Sequence, residues 1–188
     1  MNKNVNVPNA LSVLRLLGVP VFIYFALVSE QDFLAILTLM IAGATDYFDG
    51  KIARAWNQTS TIGAMLDPAA DRIYIVATLV VLYLRQAIPL WVVFVLLGRD
   101  FVLALVTLVM KIRKIELLEV SFLGKAATFN LLYAFPLLLL ATHQSLIGDI
   151  AFALGWSFAT WGVVLYIYTG LTYFQSAVKS IRVTSTHS

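Results

Sequence analysis

Long apolar runs, divided by short polar turns, constrain this chain more than any other feature. They occupy residues 16–28, 33–45, 62–84, 90–110, 123–142 and 150–174. A helix that crosses the hydrocarbon core of a bilayer needs about 20 mostly apolar residues. Most of these runs have that length, and the first, with Pro20 inside it, reaches it only by adding the residues that lead into it. Hydrophobic residues make up 61% of the 188 residues and charged ones 12%. A soluble domain carries about 45–50% apolar residues. The expected class is therefore an all-α polytopic membrane protein with six transmembrane helices, and the length suits one bundle. The whole chain, 1–188, reads as a single membrane domain: an interfacial segment 1–15, a bundle 16–176 and a cytoplasmic tail 177–188. No small-residue cleavage site follows the first apolar run, so no removable signal is expected. The chain contains no Cys, which excludes disulfides and thiolate chemistry and fits a reducing compartment.

The N-terminal residues 9–15, NALSVLR, follow Pro8 and read as a short amphipathic helix lying at the interface. Leu11 and Leu14 take one side of it, Ser12 and Arg15 the other. The second run continues into charged residues, so its helix is expected to project past the membrane boundary. Pro68 is expected to disturb the start of the third. Arg99-Asp100 interrupts the fourth and belongs in the bundle interior or a wet cavity, as an ion-pair network or as part of a site. His143 and His187, in a turn and in the tail, read as surface residues. Six spans put both termini on one side. That side gathers Lys3, Arg15, Lys51, Arg54, Lys111, Arg113, Lys114, Lys125, Lys179 and Arg182, while the other holds only Arg85. By the positive-inside rule both termini face the cytoplasm.

Against this background, residues 46–71 stand out. Asp46, Asp49, Asp67 and Asp71 crowd a stretch flanked by apolar runs, in a chain with ten acidic residues. At about 100° per residue, Asp46, Asp49, Gly50 and Ala53 fall on one helical face. Gly63, Asp67 and Asp71 stand at i, i+4 and i+8, again one face. Two helices can thus offer two carboxylates each to a shared cleft. Four facing carboxylates repel unless cations lie between them. Oxygen ligands without Cys or a nearby His favour a hard ion such as Mg²⁺, with Mn²⁺ or Ca²⁺ as relatives. Gly50 and Gly63 leave room for a phosphate or nucleotide, and Arg54 can hold a phosphate.

The pattern Asp46-x2-Asp49-Gly50-x2-Ala53-Arg54-x8-Gly63-x3-Asp67-x3-Asp71 resembles the signature of the CDP-alcohol phosphotransferases at every fixed position. The resemblance implies a CDP-linked donor, usually CDP-diacylglycerol, a polar or lipid alcohol acceptor, and release of CMP. It implies two Mg²⁺ ions, with Mn²⁺ as an alternative, held by Asp46, Asp49, Asp67 and Asp71, with Asp71 also the general base. It implies donor contacts from Gly50, Arg54 and Ser60, space for the nucleotide at Ala53 and Gly63, and a homodimer. Nucleic acid is not an expected partner. Residues 6–15, NVPNALSVLR, also resemble the start of relatives that make glycerophospholipids, with Ser12 replacing the commoner Thr, and suggest Asn9 as a further donor contact.

The signature defines only the donor half. Glycerol 3-phosphate is the leading acceptor, giving phosphatidylglycerol phosphate. Phosphatidylglycerol, giving cardiolipin, is nearly its equal, because Gly98-Arg99-Asp100 is closer to that branch. Inositol phosphate ranks lower, since residues 150–174 contain no cation. Arg99 and Lys125 are the best-placed cations for a phosphorylated acceptor, whereas Lys111, Arg113 and Lys114 read as a positive-inside anchor. Intramembrane acids also mark ion- or proton-coupled transporters. That class predicts acids deep in several spans, and here the only mid-span acid is Asp100, beside an Arg.

Overall fold

The computed structural model describes residues 7–55, 61–115 and 121–186, with side chains described over 13–45, 70–115 and 121–181. Within these the chain is all-helical: α1 (Val7–Ile23) with a π-helical turn (Tyr24–Val28), α2 (Asp32–Ala55), α3 (Thr61–Leu84), α4 (Leu90–Ile112), α5 (Phe122–Leu140) and α6 (Leu146–Thr186). Each apolar run became a helix. Among the described residues, three helices are long and apolar enough to cross a membrane: Leu90–Ile112, Phe122–Leu140 and Leu146–Ile181. Val13–Val28 and Asp32–Thr45 are shorter apolar helices. Large apolar side chains face outward, among them Trp91, Phe94 and Phe101 on α4 and Phe152, Trp161 and Leu171 on α6. An apolar exterior this extensive suits hydrocarbon rather than water.

Two boundaries differ from the sequence expectation. No break separates an interfacial helix from a first span; α1 is continuous across Arg15 and Leu16. Residues 9–17 contain neither Gly nor Pro, Pro8 falls in the first turn where proline is tolerated, and Pro20, deeper in the helix, is followed by the wider π turn rather than a stop. At the other end, α6 continues through the expected tail to Thr186, 41 residues in all. Residues 171–186 contain neither Gly nor Pro to end it. At 1.5 Å per residue, α6 is about 60 Å long, twice a hydrocarbon core.

The helices fall into two units, Met1–Gln86 and Ala87–Ser188. In the first, α1 and α3 run parallel with a fixed offset of 56: Arg15 meets Asp71 and, one turn on, Gly18 meets Tyr74. A Cβ at Gly18 would strike the Tyr74 hydroxyl, so the missing side chain sets how closely these helices approach. Phe22, Ala26, Ala35, Leu79 and Leu82 are buried within this unit.

In the second unit α5 and α6 pack antiparallel. Gly155 lies against Leu138 and Gly162 against Leu131, with Cβ positions 3.1 and 2.9 Å from the leucine side chains. Both pairs advance by seven residues, the repeat of a coiled-coil seam. Carried along, the register matches Ala134 with Ala159, Ala127 with Tyr166 and Gly124 with Thr169, and all six are buried. Small residues on both faces allow this close approach where lipid offers no hydrophobic drive.

Candidate active site

The two motif faces rest on helices, as the spacing requires. Asp46, Asp49, Gly50, Ala53 and Arg54 lie on the last turns of α2, and Gly63, Asp67 and Asp71 on the first turns of α3. The α3 helix persists through Pro68, whose disturbance does not end it. The side chains of Asn9, residues 46–54, Gly63 and Asp67 lie outside the described set, as does all of Ser60. Asp71 is the motif carboxylate whose surroundings are described.

Asp71 is about half exposed, and its Oδ1 accepts a hydrogen bond from Arg15 Nη1 at 2.9 Å. The Arg15 side chain is only 2% exposed. Sequence reasoning put Arg15 on the polar face of an interfacial helix. Because α1 is continuous, Arg15 instead faces α3, and a buried guanidinium needs an anionic partner. The Gly18–Tyr74 contact one turn away draws the helices close enough for that pair. The offset of 56, carried back along both helices, brings Asn9 level with Met65, between Gly63 and Asp67. The N-terminal pattern and the second half of the carboxylate motif therefore share one level of the first unit.

In the second unit Arg99 lies across α6. Its Nη1 donates to Asp100 Oδ1 at 3.2 Å, and Nη2 approaches Thr169 Oγ1 at 3.5 Å. Its Cζ stands 4.1 Å from the centroid of the Tyr166 ring, a cation–π contact. The Tyr166 hydroxyl donates to the same Asp100 Oδ1. Arg99 Nε is buried with no hydrogen-bond partner among the described residues. Lys125 is exposed on the first turn of α5, where Ser121 caps the helix by accepting from the Gly124 N–H at 3.1 Å. No described contact joins Lys125 to Arg99. The α5–α6 register nevertheless sets Lys125 opposite Tyr168, in the turn of α6 that Arg99 crosses.

Sequence reasoning missed Arg15, Tyr166, Thr169 and Gly170. An arginine directly followed by an apolar run was the available signal for the first. A Tyr, Thr and Gly at i, i+3 and i+4 in the last run was the signal for the others.

Residues 5–168 match the CDP-alcohol phosphatidyltransferase family. The chain belongs to that family. It is a membrane phosphatidyltransferase of phospholipid synthesis. Its relatives include a Streptomyces coelicolor protein named cardiolipin synthase (CMP-forming), 46% identical over 94% of this chain and 84% of the relative. A Rickettsia bellii protein named CDP-diacylglycerol–glycerol-3-phosphate 3-phosphatidyltransferase is 30% identical over 93% of this chain and 96% of its own length.

Proposed function

We propose that this enzyme transfers the phosphatidyl group of CDP-diacylglycerol to phosphatidylglycerol, forming cardiolipin and releasing CMP. The observation that carries the reaction class is the intact signature from Asp46 to Asp71, borne by two helices of a chain matched to the family over 5–168. Phosphatidylglycerol is favoured over glycerol 3-phosphate for two reasons. The Streptomyces relative shares far more identity than the Rickettsia one. Arg99 is also already paired with Asp100, which lowers the local positive charge. A phosphodiester carries one negative charge, whereas a phosphomonoester carries about 1.5 to 2 near neutrality. The partly neutralised arginine is better matched to the former. Glycerol 3-phosphate remains the second reading, supported by the NVPNALSVLR start and by the Rickettsia relative.

The donor set suits a hard divalent ion: Asp46, Asp49, Asp67 and Asp71, all oxygen ligands at single-face spacing on two observed helices. When bound, Mg²⁺ would offset the charge on the diphosphate and on the departing CMP. The remaining work falls to the protein. Gly50, Ala53, Arg54, Ser60, Gly63 and Asn9 hold the donor. Asp71 accepts the proton of the acceptor hydroxyl as its oxygen bonds to the phosphatidyl phosphorus and the bond from that phosphorus to CMP breaks. Arg15 fixes one oxygen of that carboxylate. Arg99 and Lys125 receive the acceptor's phosphate. The enzyme works as a homodimer of six-span protomers, with the site and both termini cytoplasmic.

The test supplies purified protein in nanodiscs with Mg²⁺, labelled CDP-diacylglycerol and, separately, phosphatidylglycerol, glycerol 3-phosphate or inositol phosphate. Cardiolipin and CMP are expected with phosphatidylglycerol. Phosphatidylglycerol phosphate from the second tube would move the acceptor to glycerol 3-phosphate. A folded protein that releases no CMP in any tube would overturn the reading.

A further inference from the structure

Arg99 is held from several directions, and two of the residues that hold it have no part in the reaction described above. The first is Gly170. A Cβ at that position would stand 2.9 Å from Arg99 Cγ and 3.1 Å from Nε, so the arginine stem lies flat on α6 only because residue 170 has no side chain. The second is Tyr166, one turn earlier on the same face. Its ring covers the guanidinium at 4.1 Å, and its hydroxyl ties down Asp100, the carboxylate that also accepts from Arg99.

The exposures point to a ligand rather than to an internal ion pair alone. Within the pair, the side chain that keeps the larger exposed share is the cation: 22% for Arg99 against 11% for Asp100. A guanidinium has five N–H donors in a planar fork. Among the described residues Arg99 spends one on Asp100 and one, at the limit of hydrogen-bond length, on Thr169. Tyr166 and Gly170 fix the plane of the fork without consuming its donors. At the same level of α6 the α5–α6 register brings a second, exposed cation, Lys125.

We infer that Tyr166 and Gly170 are positioning residues that set the orientation of Arg99 for the phosphodiester of an anionic glycerolipid acceptor. The inference rests on the acceptor reading above and deepens it by assigning its specificity to the α4–α6 contact. It predicts a division of labour: changes at 166 and 170 weaken the acceptor and spare the donor.

The experiment uses the full chain in nanodiscs as wild type, Gly170→Ala, Tyr166→Leu and Tyr166→Phe. It measures the KM of each substrate, kcat and the thermal midpoint. Gly170→Ala and Tyr166→Leu are expected to raise the phosphatidylglycerol KM about tenfold or more, the size of a lost cation–π contact or a displaced charged hydrogen bond. The CDP-diacylglycerol KM should stay within about twofold. Tyr166→Phe keeps the ring and loses only the tie to Asp100, so its effect should be smaller. A second readout needs no turnover: native mass spectrometry of phosphatidylglycerol retained in preference to phosphatidylcholine. The wild type should show that preference and Gly170→Ala should lose it, with both proteins folded. Equal rises in both KM values, or no change in either, would reduce Tyr166 and Gly170 to packing residues and overturn the inference. So would a wild type with no lipid preference. Failure of CMP release, by contrast, strikes the proposed reaction itself.

Discussion

Among the described residues, the first unit shows two long-range Arg–Asp pairs, and they are built in opposite ways. Arg85 Nη2 donates to Asp32 Oδ2 at 2.9 Å and Arg85 Nη1 to the Ala26 carbonyl at 2.7 Å. Here the carboxylate side chain is wholly buried and the arginine 16% exposed. In the pair of Arg15 and Asp71 the arginine is buried and the carboxylate is 48% exposed. The two pairs lie about 20 Å apart along α3. The first clamps three segments: the π turn that ends α1, the start of α2 and the end of α3. It also satisfies a carbonyl left open at a helix C-terminus. The second points a held carboxylate outward. A buried acid with an arginine cap suits a role in the fold, whereas a half-exposed acid on a buried arginine suits the base role proposed for Asp71.

The sharpest way to break this contrast is at the clamp. Asp32→Ala takes that carboxylate from a mostly buried Arg85 and should cost about 3 kcal/mol, read as a large fall in thermal midpoint. Activity per folded molecule should hold. Asp32→Leu combined with Arg85→Met should recover much of the loss, because paired apolar replacements avoid stranding a charge. A clamp variant that stays stable but stops releasing CMP would reverse the roles of the two pairs.

Arg15→Gln should show the opposite profile. Asp71 can turn to solvent, so stability should fall by less than at the clamp. The rate should drop about 10–100-fold, as for residues that orient a ligand or base from behind. Gly18→Ala probes the contact that lets Arg15 reach α3. Its methyl meets the Tyr74 hydroxyl and should cost about 1–3 kcal/mol, with Tyr74→Phe in the same chain returning most of it. The smallest effect is a control in the other unit. Lys114 closes α4 at φ 55°, with the Ile115 N–H bonded to the Met110 carbonyl. A left-handed conformation costs a side-chain-bearing residue about 1 kcal/mol, so Lys114→Gly should raise the thermal midpoint slightly and leave turnover alone.

The same contrast shows what the sequence makes legible. The carboxylate faces were readable because a spacing of three or four residues is local helix geometry, and α2 and α3 are helical through it. The apolar runs gave the helices for the same reason. Neither ion pair was readable. Asp32 and Arg85 each read as a turn residue near an outer boundary, and nothing local says that the two turns face each other. The Arg15–Asp71 contact spans 56 residues and depends on how α1 slides against α3, a register set by a glycine admitting a tyrosine. Arg99-Asp100 was legible as a buried charged pair. Its orientation was not, because Tyr166, Thr169 and Gly170 come from a helix more than 60 residues away. The extent of α6 was misjudged because a polar tail was taken for a helix end, although polarity alone does not stop a helix.

The most direct test of the account compares wild type with Asp71→Asn in nanodiscs holding CDP-diacylglycerol, phosphatidylglycerol and Mg²⁺, following CMP release beside the thermal midpoint. Asparagine keeps an oxygen for Arg15 and cannot serve as the base. Turnover per folded molecule should fall at least about 10²-fold, in the range that general-base catalysis supplies, with donor binding little changed; the thermal midpoint should fall as well, because the buried Arg15 loses its anionic partner. CMP release from Asp71→Asn at the wild-type rate would contradict the account.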